Sequence, residues 1–279
     1  MSASEIIPSH VSAYHVTATR NATITLELYP LRFRQLSPGA RVWTPNILRG
    51  AFGSALKRLD EKAYREFFTP TAQSSPRLEA PEKLPSGLRD LPRPFVFRLR
   101  ENEIGINLFR MSSLDLVRAV MSRLNLELAA QPEILSLSLD VPDGGMAEGV
   151  QRLRIRFLTP AELKGTHEPE FGPLLARIRD RISTLRGLYG AGPLDLDFRA
   201  FGERADRVSM TRRELQTVEE ERVSKRTGQR HAIGGFTGFA EYEGPVAEFL
   251  PYLEAARWTG VGRQTVWGKG EIDVELLHD

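Results

Sequence analysis

The stretch Arg257-Trp-Thr-Gly-Val-Gly-Arg-Gln-Thr-Val-Trp-Gly-Lys-Gly-Glu-Ile-Asp-Val-Glu-Leu-Leu277 closes a helical pattern, passes through a glycine-rich turn and enters a strand. Gly260, Gly262, Gly268 and Gly270 punctuate it, with Arg263, Gln264, Thr265 and Lys269 between them. Ile272, Val274 and Leu276 then alternate with acidic residues, the period of a half-buried strand. Glycine admits positive φ and close approach by a ligand, so such a turn can offer main-chain N–H groups and cations to phosphate. A Walker A loop would need glycine at Trp267 followed by Lys-Ser/Thr, and a dinucleotide loop would need glycine at Thr265. The stretch therefore points to a polyanion and away from nucleoside triphosphates and NAD.

Working outward, the helix before this loop spans Val246 to Trp258 and is entered through Pro245. Arg222 to Tyr242 reads as a strand pair, and Val208 to Glu221 as an acidic segment with weak strand character. Phe171 to Tyr189 carries Leu174, Leu175, Ile178, Ile182, Leu185 and Leu188 at helical spacing, and Val150 to Leu158 alternates strictly with arginines on one face. The first half repeats this order. Its strand runs from His15 to Phe33, broken at Pro30. A helix from Thr44-Pro45 to Leu59 follows, with Gly50 and Gly53 leaving room for close packing. Residues 69–94 read as a long loop, Phe95–Leu99 and Ile104–Phe109 as strands, and Ser113 as the cap of a helix to Ala130. Glu133 to Val141 is the last strand.

Each half thus reads β–α–β–β–α–β. This predicts an α+β protein of two tandem ferredoxin-like (RRM-like) βαββαβ domains, 1–143 and 144–279, divided near Asp143-Gly-Gly. Both antiparallel sheets are expected to carry their helices on one face.

Composition narrows the chemistry. The 279 residues include no cysteine, which excludes disulfides, cysteine-bound zinc, iron–sulfur clusters and a cysteine nucleophile. Hydrophobic content of 41% and charged content of 27% are those of a soluble globular protein, and a net charge of +2 leaves partners to be read from charge distribution. No apolar run approaches a membrane span and the N-terminus lacks a signal-peptide pattern, so a cytoplasmic protein with no membrane association is expected.

Charge is concentrated in Arg222-Val-Ser-Lys-Arg-Thr-Gly-Gln-Arg-His231, where Arg222, Lys225, Arg226 and Arg230 follow directly on Glu219-Glu-Glu221. With the glycine-rich loop in the same half, this hairpin forms a candidate groove for RNA or DNA phosphates. Arg49, Lys57 and Arg58 read as solvated charges on the first helix, and Asp195 and Asp197 as solvated loop residues. No metalloprotease or nucleophile-elbow motif is present, and neither a metal site nor a cofactor is expected. Of the five histidines, His10 and His278 lie near the ends and His15 and His167 read as surface residues. His231 lies among cations, which favour its neutral form, the form a general base needs.

Gly234-Gly-Phe-Thr-Gly-Phe-Ala-Glu-Tyr-Glu-Gly244, Phe249-Leu-Pro-Tyr-Leu253 and Trp258 to Gly270 together resemble the C-terminal region of the CRISPR precursor-RNA processing endoribonucleases of the RAMP superfamily. Leu48-Arg-Gly-Ala-Phe-Gly-Ser-Ala-Leu56 is similar to the first helix of the same group. The resemblance covers about residues 222–275 and 45–59. It implies tandem ferredoxin-like domains and metal-independent cleavage of CRISPR repeat RNA, by 2′-hydroxyl attack to a 2′,3′-cyclic phosphate and a 5′-hydroxyl.

On this resemblance the loop from Gly260 to Gly270, with Gly262, Arg263, Gln264, Thr265, Gly268 and Lys269, would hold the RNA backbone. Arg222, Lys225, Arg226 and Arg230 would neutralise phosphates. Many members carry a catalytic histidine in or near the first helix, whereas this chain has none between Tyr29 and Leu163. The acid/base role then falls to His231, or failing that to Tyr64 or Lys225. The alternative is a non-catalytic RAMP subunit that binds crRNA within an effector complex. A metabolic enzyme on the same fold is a third reading. The expected partners are CRISPR repeat RNA and other effector subunits, with the chain a monomer or homodimer.

Overall fold

Thr44 accepts a hydrogen bond from the Ile47 N–H and Pro45 occupies the first helical turn, so α1 (Pro45–Leu59) starts where the sequence sets it. In the computed structural model the described residues are 23–36, 42–71, 91–100, 103–140, 149–163, 168–219, 221–223, 230–232 and 234–277. The boundary expected at Asp143, the start of the first strand at His15 and most of the loop expected over 69–94 lie outside them.

The first half contains β1 (Thr25–Gln35), α1, α2 (Glu61–Phe68), β2 (Phe95–Arg100), β3 (Glu103–Leu108), α3 (Leu114–Ser122), β4 (Leu126–Leu128) and β5 (Leu135–Ser138). Its strands are ordered β2-β3-β1-β4, and all pairings are antiparallel. The second half contains β6 (Arg152–Ala161), α4 (Phe171–Tyr189), α5 (Phe198–Ala205), β7 (Ser209–Val218), β8 (Glu221–Val223), β9 (Arg230–Ala232), β10 (Gly235–Glu243), α6 (Leu250–Thr259) and β11 (Ile272–Leu276). Its sheet runs β11-β6-β10-β7, again antiparallel. In both halves the first and third strands of the βαββαβ unit are central and the second and fourth are the edges. This is the ferredoxin-like order, twice.

Several elements differ from the sequence reading. The helix expected from Ser113 to Ala130 stops at Ser122, and Ser113 makes no side-chain cap. Asn125, at φ +58°, turns the chain back so that Leu126–Leu128 pairs with Phe33–Gln35. This short strand is the fourth of the unit. The Glu133–Val141 candidate supplies β5, which extends the same edge along Thr25–Leu28. β1 also continues through Pro30, which falls in the gap between its β5 and β4 pairings, where a missing N–H costs least. α2 and α5 were not foreseen. Asp60 caps α2 by accepting from the Ala63 N–H, and Asp197, expected in a solvated loop, caps α5 by accepting from Arg199 and Ala200.

The layers differ too. One core packs α1, α2 and α3 on the first sheet around Phe52, Phe67, Phe95 and Phe97. The other joins α4 and α6 to the second sheet but also takes in Leu26, Leu28, Val96 and Phe109 from the first half. β2 is therefore buried on both faces, which explains its unbroken Phe95-Val-Phe run. α4 and α6 lie between the two sheets, and the first sheet has helices on both sides. The described residues contain no helix long and apolar enough to cross a membrane.

Candidate nucleic-acid interface

The glycine-rich loop is built as a rigid bracket on the end of β6. Val261 donates to the Gly270 carbonyl at 2.8 Å, Gly270 to the Pro160 carbonyl at 2.9 Å, and Arg263 to the Glu162 carbonyl at 2.9 Å. A Cβ at Gly270, whose φ is +66°, would lie 1.9 Å from the Val261 carbonyl oxygen, and one at Gly262 would lie 2.4 Å from that of Glu162. These two glycines are dictated by chain crossing at close range. The Glu162 carboxylate holds Arg263 Nη1 at 2.7 Å and Gln264 Nε2 at 3.0 Å, and the Thr159 hydroxyl donates to the Gly268 carbonyl at 2.9 Å. Gln264 itself sits at φ +63°, in the left-handed region.

The loop does not offer all its side chains outward. Arg263 is exposed and Gly262 and Gln264 are half-buried, but Thr265 is 3% and Lys269 7% exposed. Gly260 and Gly270 form the buried base. Of the two loop cations expected to meet phosphate, only Arg263 reaches the surface.

Where α6 enters this loop, its last carbonyls are gripped from the first half. Arg98 on β2 donates to the Arg257 and Trp258 carbonyls at 3.2 and 3.4 Å, and Asn107 on β3 to that of Trp258 at 2.8 Å. Arg181 on α4 donates to the Thr259 carbonyl at 3.0 Å. Cations at a helix C-terminus complement its dipole. Burial pushes both guanidiniums down, each to about 10, although the Glu271 carboxylate 3.9 Å away draws Arg98 back up. Glu271 also pairs through both oxygens with Arg100. The loop is thus anchored to both sheets.

On its other side the loop meets α1 and α2. Arg49 lies 5.0 Å from the Trp267 ring centroid and 5.2 Å from that of Phe68. Phe68 stacks on Tyr64 at 4.9 Å, and Lys57 Nζ stands 5.9 Å from the Tyr64 ring. A row of rings and cations, Trp267, Arg49, Phe68, Tyr64 and Lys57, therefore runs out from the glycine-rich loop. Arg49, read from sequence as a solvated charge, is half-buried in it. The available signal was its place inside Leu48–Leu56, opposite the only tryptophan within the glycine cluster.

The basic hairpin meets the loop at β6. Glu221–Val223 and Arg230–Ala232 keep the register of β7 with β10, pairing Arg222 with His231 and Val223 with Arg230. The small ribbon is thus a continuation of the β7–β10 hairpin. It leaves the sheet where Phe236 pairs with Ala161, next to Glu162, which holds the loop. Lys225 and Arg226 lie outside the described residues. Tyr64 reaches the loop through Phe68 and Arg49, and the hairpin reaches it through β6. Among the described residues no group of three or more His, Asp or Glu side chains is placed to hold a metal ion.

Residues 155–272, from β6 to β11, match the family model of the CRISPR-associated endoribonuclease Cas6. Over that segment, the chain is similar to the Cas6 family. Cas6 from Thermus thermophilus shares the fold at a TM-score of 0.53 and 16% identity, over 91% of this chain and 100% of that one. A Cas6 product complex aligns at a TM-score of 0.53 and 14% identity, over 89% of this chain and 99% of its own. A Cas6–RT–Cas1–Cas2 complex aligns at 0.50 and 11% identity, over 91% of this chain and 29% of that one. No curated protein matches the chain significantly by sequence. The Cas6 match takes in the glycine-rich loop, the hairpin and the β6 strand that joins them. α1, Tyr64 and Arg49 lie outside it.

Proposed function

We propose that this chain is an endoribonuclease that processes precursor CRISPR RNA by cutting within the repeat. The observation that carries this reading is the meeting of three features at the end of β6: the Cas6-type loop, the base of the basic hairpin, and the cation–aromatic row leading to Tyr64. The bracketed loop suits a backbone-tracking role, because a fixed turn loses little entropy on binding. Arg263, at its outer edge, and the hairpin cations Arg222, Lys225, Arg226 and Arg230 would neutralise phosphates. Lys269 would act from inside the loop, holding its shape.

The reaction we propose is metal-independent. A base takes the proton of a ribose 2′-hydroxyl, whose oxygen attacks the adjacent phosphorus. The P–O5′ bond breaks, and an acid protonates the departing 5′ oxygen, leaving a 2′,3′-cyclic phosphate and a 5′-hydroxyl. Cations stabilise the charge that accumulates on the phosphorane. His231, Tyr64 and Lys225 are the candidates for acid and base. Arg49, fixed between Trp267 and Phe68, is a further cation available to the phosphorane.

The test is cleavage of a labelled repeat RNA in EDTA, beside a substrate carrying a 2′-deoxy nucleotide at the cut. Cleavage that survives EDTA and vanishes with the deoxy substitution supports the proposal, and a cut in the deoxy substrate overturns the mechanism. His231→Ala cutting at the wild-type rate would remove the histidine from it.

A second reading, a crRNA-binding subunit that does not cut, is favoured by the absence of histidine between Tyr29 and Leu163. Tight, salt-sensitive binding of intact RNA would select it. Other effector subunits are the further partners either reading allows, with the chain a monomer or homodimer.

A further inference from the structure

Glu162 follows β6 directly and faces the glycine-rich loop. Thr265 and Lys269 are buried, and so is the indole N–H of Trp267, so Arg263 and Gln264 are the hydrogen-bonding side chains the loop presents outward. Both converge on one carboxylate: Arg263 Nη1 donates to Glu162 Oε1 at 2.7 Å and Gln264 Nε2 to Oε2 at 3.0 Å. The carboxylate is not what shapes the loop. Main-chain bonds from Val261 to Gly270, Gly270 to Pro160 and Arg263 to the Glu162 carbonyl hold it, with the Thr159 hydroxyl on Gly268. An ion pair whose side chains are 47% and 31% exposed adds little to stability. Gln264 is nonetheless kept at φ +63°, a backbone conformation that is costly for a residue with a side chain and that concentrates at ligand clamps and switches.

We propose, resting on the RNA reading of this loop, that the Glu162 carboxylate occupies a phosphate subsite in the free protein and that a phosphate of bound RNA takes its place on Arg263 and Gln264. A carboxylate and a phosphodiester both offer two oxygens to a guanidinium and to neighbouring N–H donors, so one can replace the other without moving the loop. Partly exposed partners in a high dielectric exchange at small cost, and the displaced Glu162 side chain already reaches solvent. The exchange makes Glu162 a specificity-determining residue. RNA held only by long-range attraction gains nothing from Arg263, whose charge is already balanced. RNA seated on the loop, with a phosphate at hydrogen-bonding distance, recovers it.

The experiment is fluorescence anisotropy of the full chain with labelled repeat RNA and with oligouridylate, over a range of salt concentrations, for wild type, Glu162→Gln, Arg263→Ala and the double variant. Glu162→Gln should bind oligouridylate about three- to tenfold more tightly and lose discrimination in favour of the repeat. Its log affinity should fall more steeply with log salt, by about 0.7, the slope of one added phosphate contact on a single strand. In the Arg263→Ala background the same substitution should change little, because the subsite has lost its cation. Equal tightening with and without Arg263 would reduce Glu162 to its share of the overall field and overturn the proposal. Weaker or unchanged binding by Glu162→Gln, or a lower melting temperature, would overturn it too, making the carboxylate a structural support of the loop. A wild-type chain that binds repeat RNA while its variants fail these tests leaves the RNA reading standing; one that binds no RNA removes both.

Discussion

Replacing Gly270 by alanine tests whether the glycine-rich loop is a rigid bracket. The new Cβ would lie 1.9 Å from the Val261 carbonyl oxygen, where contacts under 3.0 Å are essentially never tolerated, so the two chain segments must part by about 1 Å. That displacement disrupts two hydrogen bonds, Val261 to Gly270 at 2.8 Å and Gly270 to Pro160 at 2.9 Å. Each contributes about 1 kcal/mol, and a non-glycine residue in the left-handed region adds about 1–2 kcal/mol. The sum is about 3–4 kcal/mol. Urea unfolding would read it as a lower midpoint at unchanged slope, and thermal unfolding as a fall of roughly 10 °C. Fluorescence anisotropy with repeat RNA should show weaker binding in parallel, because Arg263 shares the displaced segment. A Gly270→Ala protein within about 0.5 kcal/mol of wild type, with unchanged RNA affinity, would refute the bracket.

Glu271→Gln should destabilise by about 2–4 kcal/mol in urea unfolding, because Arg98 keeps its buried charge without a counter-ion. Arg100→Gln, whose side chain is 57% exposed, should cost under about 1 kcal/mol in the same assay. Gly50→Ala should stabilise by about 0.5–1 kcal/mol, since a Cβ there meets nothing within 4 Å and α1 gains propensity, read as a higher melting temperature. Asp60→Ala should lose about 1 kcal/mol through the α2 cap, seen as a lower urea midpoint. Arg49→Met should leave stability within about 1 kcal/mol and lower the cleavage rate of repeat RNA at saturating substrate; an unchanged rate would take Arg49 out of the site.

The sequence by itself determined the βαββαβ order of each half and with it the fold class, while α2, α5 and β4 came only with the structure. Hydrophobic period and capping chemistry are local, so α1 from Thr44-Pro45 and α4 from Phe171 to Tyr189 have the expected limits. The glycine pattern at 260–270 and the charge switch at 222–231 were legible for the same reason, since each is a property of contiguous residues. What sequence misplaced was decided by long-range contact. Leu126–Leu128 has helical neighbours but finds a partner in β1, and α4 and α6 take a second sheet on their outer side because β2 is apolar on both faces. Only tertiary structure turned Lys269 inward, wedged Arg49 between Trp267 and Phe68, and brought hairpin and loop together at Glu162. A cation's role depends on which surfaces close over it, and those surfaces come from residues far away in the chain.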